Sequence, residues 1–550
     1  MKFTVKDKEK APVYLVIFGT VIRIAVFIIN LFIGGRNCDE VLTSLNAYSL
    51  ADKLTDINGE RLPMYFDNWV IGGQSPFSTY LTALSVKIFG ENLFAVRLPA
   101  LIFSIIGLIA IWRFAETVFT DKKHVIALIG FAAVCPWMIY SGAYVLDCNY
   151  LGHLIIIAFM FTAKALNTNK TRYYILACVF FSLGFYCYIA SVLLLPFLLI
   201  SLYLILLIKK KISIKNTVIS VITVFTVALP FILWGLVVTG FLRDFTLFGF
   251  SFSAMPGYAR GSDTAFVSDG ASNIIITILT NLLSTLMLLV LNDYSALGLG
   301  SNLFGYGFLL TGVIGVLGFA KVVIDTVKKR TDLPFTAKLF AVSSLSGITA
   351  FCAFVNEPHL GSLYRYGVLS YLILIIVSIG FVELSRFLKI KKYERFLSIY
   401  LALSLLVFSG VFVFSYIPQV KTTSEASLEQ ENYGDPFFEC LDFAEENGYD
   451  YVVIYKNPQI RMNTSAYARY YCYGKKDFYS IEDEIRLQNR HKDENGNYLV
   501  TTDGSIAYRW SGENNVIDND FSIVQTEKLD ELEFDKSVYS TKGYGFWTIV

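Results

Sequence analysis

Charge is scarce in this chain. Only 17% of its 550 residues are Asp, Glu, Lys or Arg, while 55% are hydrophobic. That balance excludes an ordinary soluble globule. The eight cysteines never fall in a CxxC spacing, so neither a zinc ribbon nor a dithiol redox motif is indicated. No internal repeat is visible, which argues against an inverted-repeat transporter. The first apolar run lacks a small-residue cleavage site, so it reads as a retained helix and not a removed signal peptide. The Lys209-Lys210-Lys211 run is topogenic, and nothing in the chain points to nucleic acid.

What is present is a series of long apolar runs and a mean hydropathy of +0.53, the mark of a polytopic α-helical membrane protein. The runs fall at 11–33, 93–119, 125–140, 150–166, 173–189, 191–208, 217–238, 274–291, 303–327, 335–355, 363–387 and 396–417. Basic loops orient them. Lys6, Lys8 and Lys10, then Lys122-Lys123, Lys170 with Arg172, Lys209–Lys211, Lys328-Lys329-Arg330 and Lys389 through Arg395 mark the cytoplasmic side. Parity then allows only one crossing between Val238 and Lys328. The run 303–327 is the better choice, because 274–291 is shorter, carries Asn281 and ends in Asn292-Asp293. About eleven transmembrane helices are expected. The N-terminus is expected in the cytoplasm and everything after Tyr416 outside.

Composition breaks near residue 420. Residues 1–419 read as the membrane domain. Residues 420–550, polar, acidic and rich in Tyr and Asn, read as a small extracytoplasmic α/β domain. Helical spacing runs through Pro436–Ala444, and strand-like stretches lie at Tyr451–Tyr455 and Gly545–Val550. In the first external loop, Gln74 to Phe89 looks amphipathic and suited to the bilayer interface.

The chemistry-bearing residues collect on one side. Asp39-Glu40 follows the first apolar run at the lip of the bilayer, where a carboxylate is costly to desolvate and marks a pathway or a reaction site. The alternative is a solvated loop pair or a helix cap. Asp147 recurs at a later turn, where it could also cap the helix beginning near Tyr150. Arg97 reads as an interfacial anchor. Trp69, Tyr80, Tyr140 and Tyr144 read chiefly as aromatic-belt residues.

Cys38-Asp39-Glu40-Val41 resembles the Asp-Glu motif of the protein O-mannosyltransferases. Gly73-Gln74-Ser75-Pro76-Phe77-Ser78-Thr79-Tyr80-Leu81, followed by Ile88 to Pro99, is similar to the same loop and second helix of the wider GT-C superfamily, which includes the lipid A aminoarabinose transferases. Ser141 to Asp147 resembles its second acidic site. The likeness covers roughly the first 210 residues well and the middle only in hydropathy, and the tail shows no family motif.

The resemblance implies an integral-membrane, inverting glycosyltransferase that takes a sugar from a polyprenyl-phosphate donor on the outer side. Asp39 would deprotonate the acceptor hydroxyl, Glu40 would support it, and Asp147 would position the acceptor or an ion. If a divalent cation takes part, Asp39 and Asp147 would hold it. The leaving phosphate needs cations, and Arg243, Arg260, Arg365 and His359 are the candidates on external loops. Gln74 stands where the aminoarabinose transferases carry a lysine, so one of those arginines would have to compensate. Asn356 and Tyr364, in the last external loop, would position substrate. The acceptor could be a protein, a glycolipid or a cell-wall polymer, and the membrane a bacterial plasma membrane.

A flippase for lipid-linked saccharides is the chief alternative. It should carry polar groups near the bilayer midplane, where these runs have almost none. A saccharide-binding receptor would need neither eleven spans nor the acidic pair. Asp518-Asn519-Asp520 has the DxD form of nucleotide-sugar enzymes, but its Gly/Asn-rich setting before Phe521–Val524 reads as a turn.

Overall fold

The computed structural model describes residues 5–33, 38–66, 73–254, 274–291, 311–329, 332–355 and 367–417. In the tail it describes Glu446, Tyr470 and six short strands. The chain is a polytopic α-helical membrane protein. Eight of the described helices are long and apolar enough to cross a bilayer: α1 (Val5–Ile33), α4 (Leu93–Val118), α7 (Asn149–Thr168), α9 (Ser191–Ile208), α10 (Ile214–Val238), α13 (Phe335–Phe354), α14 (Ser370–Phe387) and α15 (Tyr393–Val411).

Three more expected spans fall on shorter pieces. These are α5 (Lys122–Val134) with α6 (Pro136–Tyr140), α8 (Thr171–Leu183) with the 3-10 turn Gly184–Tyr186, and α12 (Thr311–Val327). The run set aside on parity grounds is α11 (Ile274–Leu291), packed on α12 and α13. Local chemistry sets several starts. Asn92 accepts the Ala95 N–H, Asp121 that of Lys123, and Ser213 that of Asn216, so each side chain caps the helix that follows.

The core centres on α14, α7, α4 and α5. Where α12 crosses α14 the backbones touch: a Cβ on Gly318 would strike the Ile376 carbonyl, and one on Gly380 that of Ile314.

The helices hold one charge that their apolar sequence hides. Arg23, near the middle of α1, is fully buried. Its guanidinium donates to Ser104 Oγ at 2.9 Å and to the carbonyls of Gly19, Ala132 and Ala133 at 3.0, 2.8 and 3.1 Å. Pro136 has no N–H to offer Ala132, so the α5–α6 break frees carbonyls in an apolar interior and Arg23 satisfies them. Arg23 is an exception to spans almost free of central charge, and four bonds hold it in the fold.

Between α1 and α4 the structure differs from a simple loop. Cys38–Lys53 form a buried helix, α2, and Pro76–Phe89 form α3, which packs on α2 and α4. α3 carries Leu84, Ile88 and Phe89 outward. It turns Ser78, Thr79, Thr82 and Ser85 inward. The hydroxyls of Thr79, Thr82 and Ser85 find no protein partner among the described residues.

After α10 the chain makes a hairpin of β1 (Phe245–Leu247) and β2 (Phe250–Phe252), with Phe245 opposite Phe252. In the tail, β3 (Val452–Ile454), β6 (Phe521–Gln525), β8 (Trp547–Ile549) and β7 (Tyr539–Ser540) form one sheet in the order β3-β6-β8-β7. β4 (Tyr498–Thr502) and β5 (Ile506–Trp510) form a separate antiparallel pair. The β3–β6 pairing is parallel, which requires a crossover and fits an α/β tail. The strands expected at 451–455 and 545–550 are present. The helix expected at 436–444 and the DxD at 518–520 lie outside the described residues.

Candidate active site

Asp39 and Glu40 occupy the first turn of α2, where carboxylates suit the positive end of the helix dipole. Their surroundings then separate them. Glu40 is fully buried and its carboxylate is gripped by Arg97 of α4 at two points, Nε to Oε1 at 2.8 Å and Nη2 to Oε2 at 2.7 Å. The Val145 N–H adds a third bond at 3.0 Å. The other arm of Arg97 donates to the Asn30 carbonyl at the end of α1, at 2.9 Å. One ion pair thus ties together α1, α2, α4 and the turn before α7. Arg97 is not an interfacial anchor: it is 2% exposed, and its role is to neutralise Glu40 inside the protein.

Asp39, the preceding residue, stays half-buried. Its backbone carbonyl accepts from Thr43 Oγ1 at 2.7 Å and from Gln74 Nε2 at 2.8 Å, and Thr43 Oγ1 also reaches Gln74 Oε1 at 3.3 Å. Gln74 is itself buried and paired in an antiparallel bridge to Phe66. The next residue, Ser75, offers its N–H to Asp147 Oδ2 at 3.4 Å. Gln74-Ser75 is therefore a clasp with Asp39 on one side and Asp147 on the other.

The turn that carries Asp147 is fixed from below. Asn149 Nδ2 donates to the carbonyls of Ser141 and Tyr144, each at 3.1 Å, and Ser104 Oγ donates to Met138. Cys148, not Asp147, is the N-cap of α7, and it makes no side-chain cap bond. That leaves the Asp147 carboxylate on Ser75. Tyr140 and Tyr144 are buried against each other with ring centroids 4.2 Å apart, so they brace this turn and are not belt residues.

Arg243 is exposed between α10 and β1, and no bond joins it to Asp39 or Asp147 among the described residues. Trp69, Arg260, Asn356, His359, Tyr364 and Arg365 lie outside the described residues. So does any geometry for the donor phosphate. Among the described residues no group of three or more His, Cys, Asp and Glu side chains gathers to hold a metal. Asp39 and Asp147 alone are a thinner donor set than a hard divalent cation takes from protein.

Beside the clasp, Asp56 is buried in the turn after α2. The N–H groups of Asn58 and Glu60 donate to its Oδ1 at 2.8 and 2.7 Å. Burial pushes this carboxyl up to about 7, and the nearby Glu60 charge adds to the effect, while those N–H donors pull the other way. Tyr80 donates to the Pro63 carbonyl at 3.0 Å and closes the same loop.

A long apolar cavity of about 470 Å³ lies between α9 and α10. α9 packs chiefly on α13 and α10 on α8, which leaves the gap open. It runs from Gly235 and Val192 at the site end to Tyr203 and Ser220 near the other face, with Phe225 and Phe231 along its wall.

Comparison with known proteins follows this architecture. Residues 73–234, which include Gln74, Ser75, Arg97 and Asp147, match the family described as dolichyl-phosphate-mannose-protein mannosyltransferase. ArnT from Cupriavidus metallidurans in the apo state aligns over 97% of both chains, with a TM-score of 0.50 and 9% identity. Its form described as bound to undecaprenyl phosphate aligns over the same shares, at 0.48 and 10%. The oligosaccharyltransferase AglB from Archaeoglobus fulgidus aligns over 84% of this chain, at 0.48 and 12%. This chain spans 64% of that longer protein. No curated protein matches significantly. The fold is of GT-C type, and the chain resembles the mannosyltransferase and ArnT branch of that superfamily.

Two outcomes follow from this geometry. Arg97→Leu strands a buried carboxylate and should destabilise the protein by about 3–5 kcal/mol. Glu40→Leu combined with Arg97→Leu should recover much of that loss, which thermal unfolding of the purified protein will resolve. Asp56 has a folded pKa of about 7, above its ordinary 3.8. Its stabilising contribution is therefore full at low pH and is lost as pH rises through that window. Unfolding temperature should fall from pH 5 to pH 8, and Asp56→Asn should flatten that slope.

Proposed function

We propose that this protein is an inverting glycosyltransferase that moves a sugar from a polyprenyl-phosphate donor to an acceptor hydroxyl at the membrane surface. The observation that carries the reading is the convergence of Asp39 and Asp147 on the Gln74-Ser75 clasp, above a neutralised Glu40. A sugar on polyprenyl phosphate already has a good leaving group. What the protein must supply is a base for the acceptor and alignment with the anomeric carbon. Asp39 is the base, half-exposed and held by the backbone bonds of its own turn. Asp147 orients the acceptor. Glu40, occupied by Arg97 and Val145, is a positioning residue that fixes the turn of α2 on which Asp39 sits.

The step balances simply. The acceptor oxygen attacks the anomeric carbon from the face opposite the phosphate, its proton passes to Asp39, and the carbon–oxygen bond to polyprenyl phosphate breaks with inversion. Arg243, Arg260, Arg365 and His359 are the cations proposed for that phosphate, with Gln74, Asn356 and Tyr364 positioning substrate. The groove between α9 and α10 takes the polyprenyl chain, because its wall offers an isoprenoid apolar contact along its length. The reaction is proposed on the outer face of a bacterial plasma membrane, with residues 420–550 on that side. The acceptor is a protein, a glycolipid or a cell-wall polymer.

Asp39→Asn should lower transfer from a synthetic polyprenyl-phosphate sugar by at least about 100-fold while the protein stays folded and inserted. Full activity in that variant would exclude the base assignment. Proteoliposomes that move lipid-linked saccharide without forming glycosyl product would point to a flippase. The groove has its own test. Gly235 has open space around its Cβ position, so Gly235→Leu should fold normally. It should raise KM for a long-chain donor and leave a short-chain analogue unaffected, a split that steady-state kinetics will show.

A further inference from the structure

The β1–β2 hairpin carries an aromatic tip that the fold does not explain. Its two-residue turn is Phe248-Gly249, with φ of +52° and +84°. Both values are those of a type I′ turn, whose first position ordinarily goes to Asn, Asp or Gly. Phe248 is 92% exposed in this strained position, and Phe241, in the link from α10, is 81% exposed. Leu242, Leu247 and Phe250 are exposed alongside them. The hairpin is nevertheless well anchored. Phe245 and Phe252 stack at 4.5 Å, Phe252 is buried with Met64, Tyr65, Phe231 and Trp234, and Asp244 Oδ1 accepts the Ala254 N–H at 3.0 Å. A firmly held scaffold thus displays large apolar groups at its outer end.

We propose that this hairpin is a membrane-insertion element, its tip seated among the phospholipid headgroups and upper acyl chains of the leaflet that borders the site. Continuity carries the assignment. The lipid-facing stripe of α10, beside the groove, runs through Val218, Ile222, Leu229 and Leu236, all exposed. The Leu242 N–H donates to the Leu236 carbonyl at 3.0 Å, which brings Phe241 and Leu242 beside the end of that stripe and leads on to Leu247 and Phe248 in the hairpin. Aromatic side chains favour that depth.

The seat matters for the site because β2 is joined to the loop in front of it. The Met64 N–H donates to the Ser251 carbonyl at 2.9 Å and the Ser251 N–H to Leu62 at 3.2 Å, while Phe66 exchanges backbone bonds with Gln74. Bilayer, hairpin, loop and clasp form one connected series.

The test places a tryptophan at the tip. The full chain carrying Phe248→Trp is reconstituted in phosphatidylethanolamine and phosphatidylglycerol vesicles, and the parent protein, with its six tryptophans, serves as the blank. The added emission should be blue-shifted and shielded from iodide. It should be quenched more by lipid brominated near the headgroup end of the acyl chain than near its methyl end. A water-like emission open to iodide overturns the proposal. So does a blue-shifted emission that neither brominated lipid reaches, since that would place the tip against protein, either a second copy or the tail. Phe241→Trp gives the same reading independently and decides the matter if the tip variant does not fold.

Discussion

A single buried ion pair, Glu40 with Arg97, holds the architecture of the site. Taking two charges out of water is unfavourable unless the geometry is nearly ideal. Here the guanidinium meets the carboxylate at two points, and the remaining valences go to Val145 and Asn30. Each partner comes from a different element, so the pair works as a rivet through four layers. The two adjacent acids therefore differ in setting: Glu40 is neutralised inside and fixes the position of α2, while Asp39 stays half-buried in the same turn.

Much of the membrane architecture was legible in the amino-acid sequence, because apolar runs and basic loops report directly on the solvent each segment needs. The placement of Asp39, Gln74 and Asp147 near one another was also within reach, through the motif resemblance. What the sequence concealed were contacts whose meaning depends on a distant partner. Arg97 looks like an interfacial anchor until Glu40 is set opposite it. Arg23 is invisible in an apolar run until the Pro136 break supplies carbonyls in need of a donor. α2 was hidden for a different reason. It follows a Gly-Gly pair and is not a span, yet Val41, Leu45, Tyr48 and Leu50 are buried along it.

The clasp and the ion pair come from the first part of the chain, and the later helices shape what surrounds them. α9 and α10 leave a groove open because each packs on a different neighbour. The tail reaches back to the site helix through Tyr470, whose hydroxyl lies 3.3 Å from that of Tyr48 on the opposite end of the turn sequence begun by Asp39. The tail is therefore in direct contact with α2, the helix that carries Asp39 and Glu40.

The inward hydroxyls of α3 have a mechanical consequence. Buried hydroxyls without protein partners draw in water, because a dry, unbonded polar group costs about 1–3 kcal/mol. The contact between α3 and its neighbours is thus a polar seam and not a purely aliphatic one. Since α3 begins directly after Gln74-Ser75, the register of that seam sets where the clasp stands relative to α2 and α4.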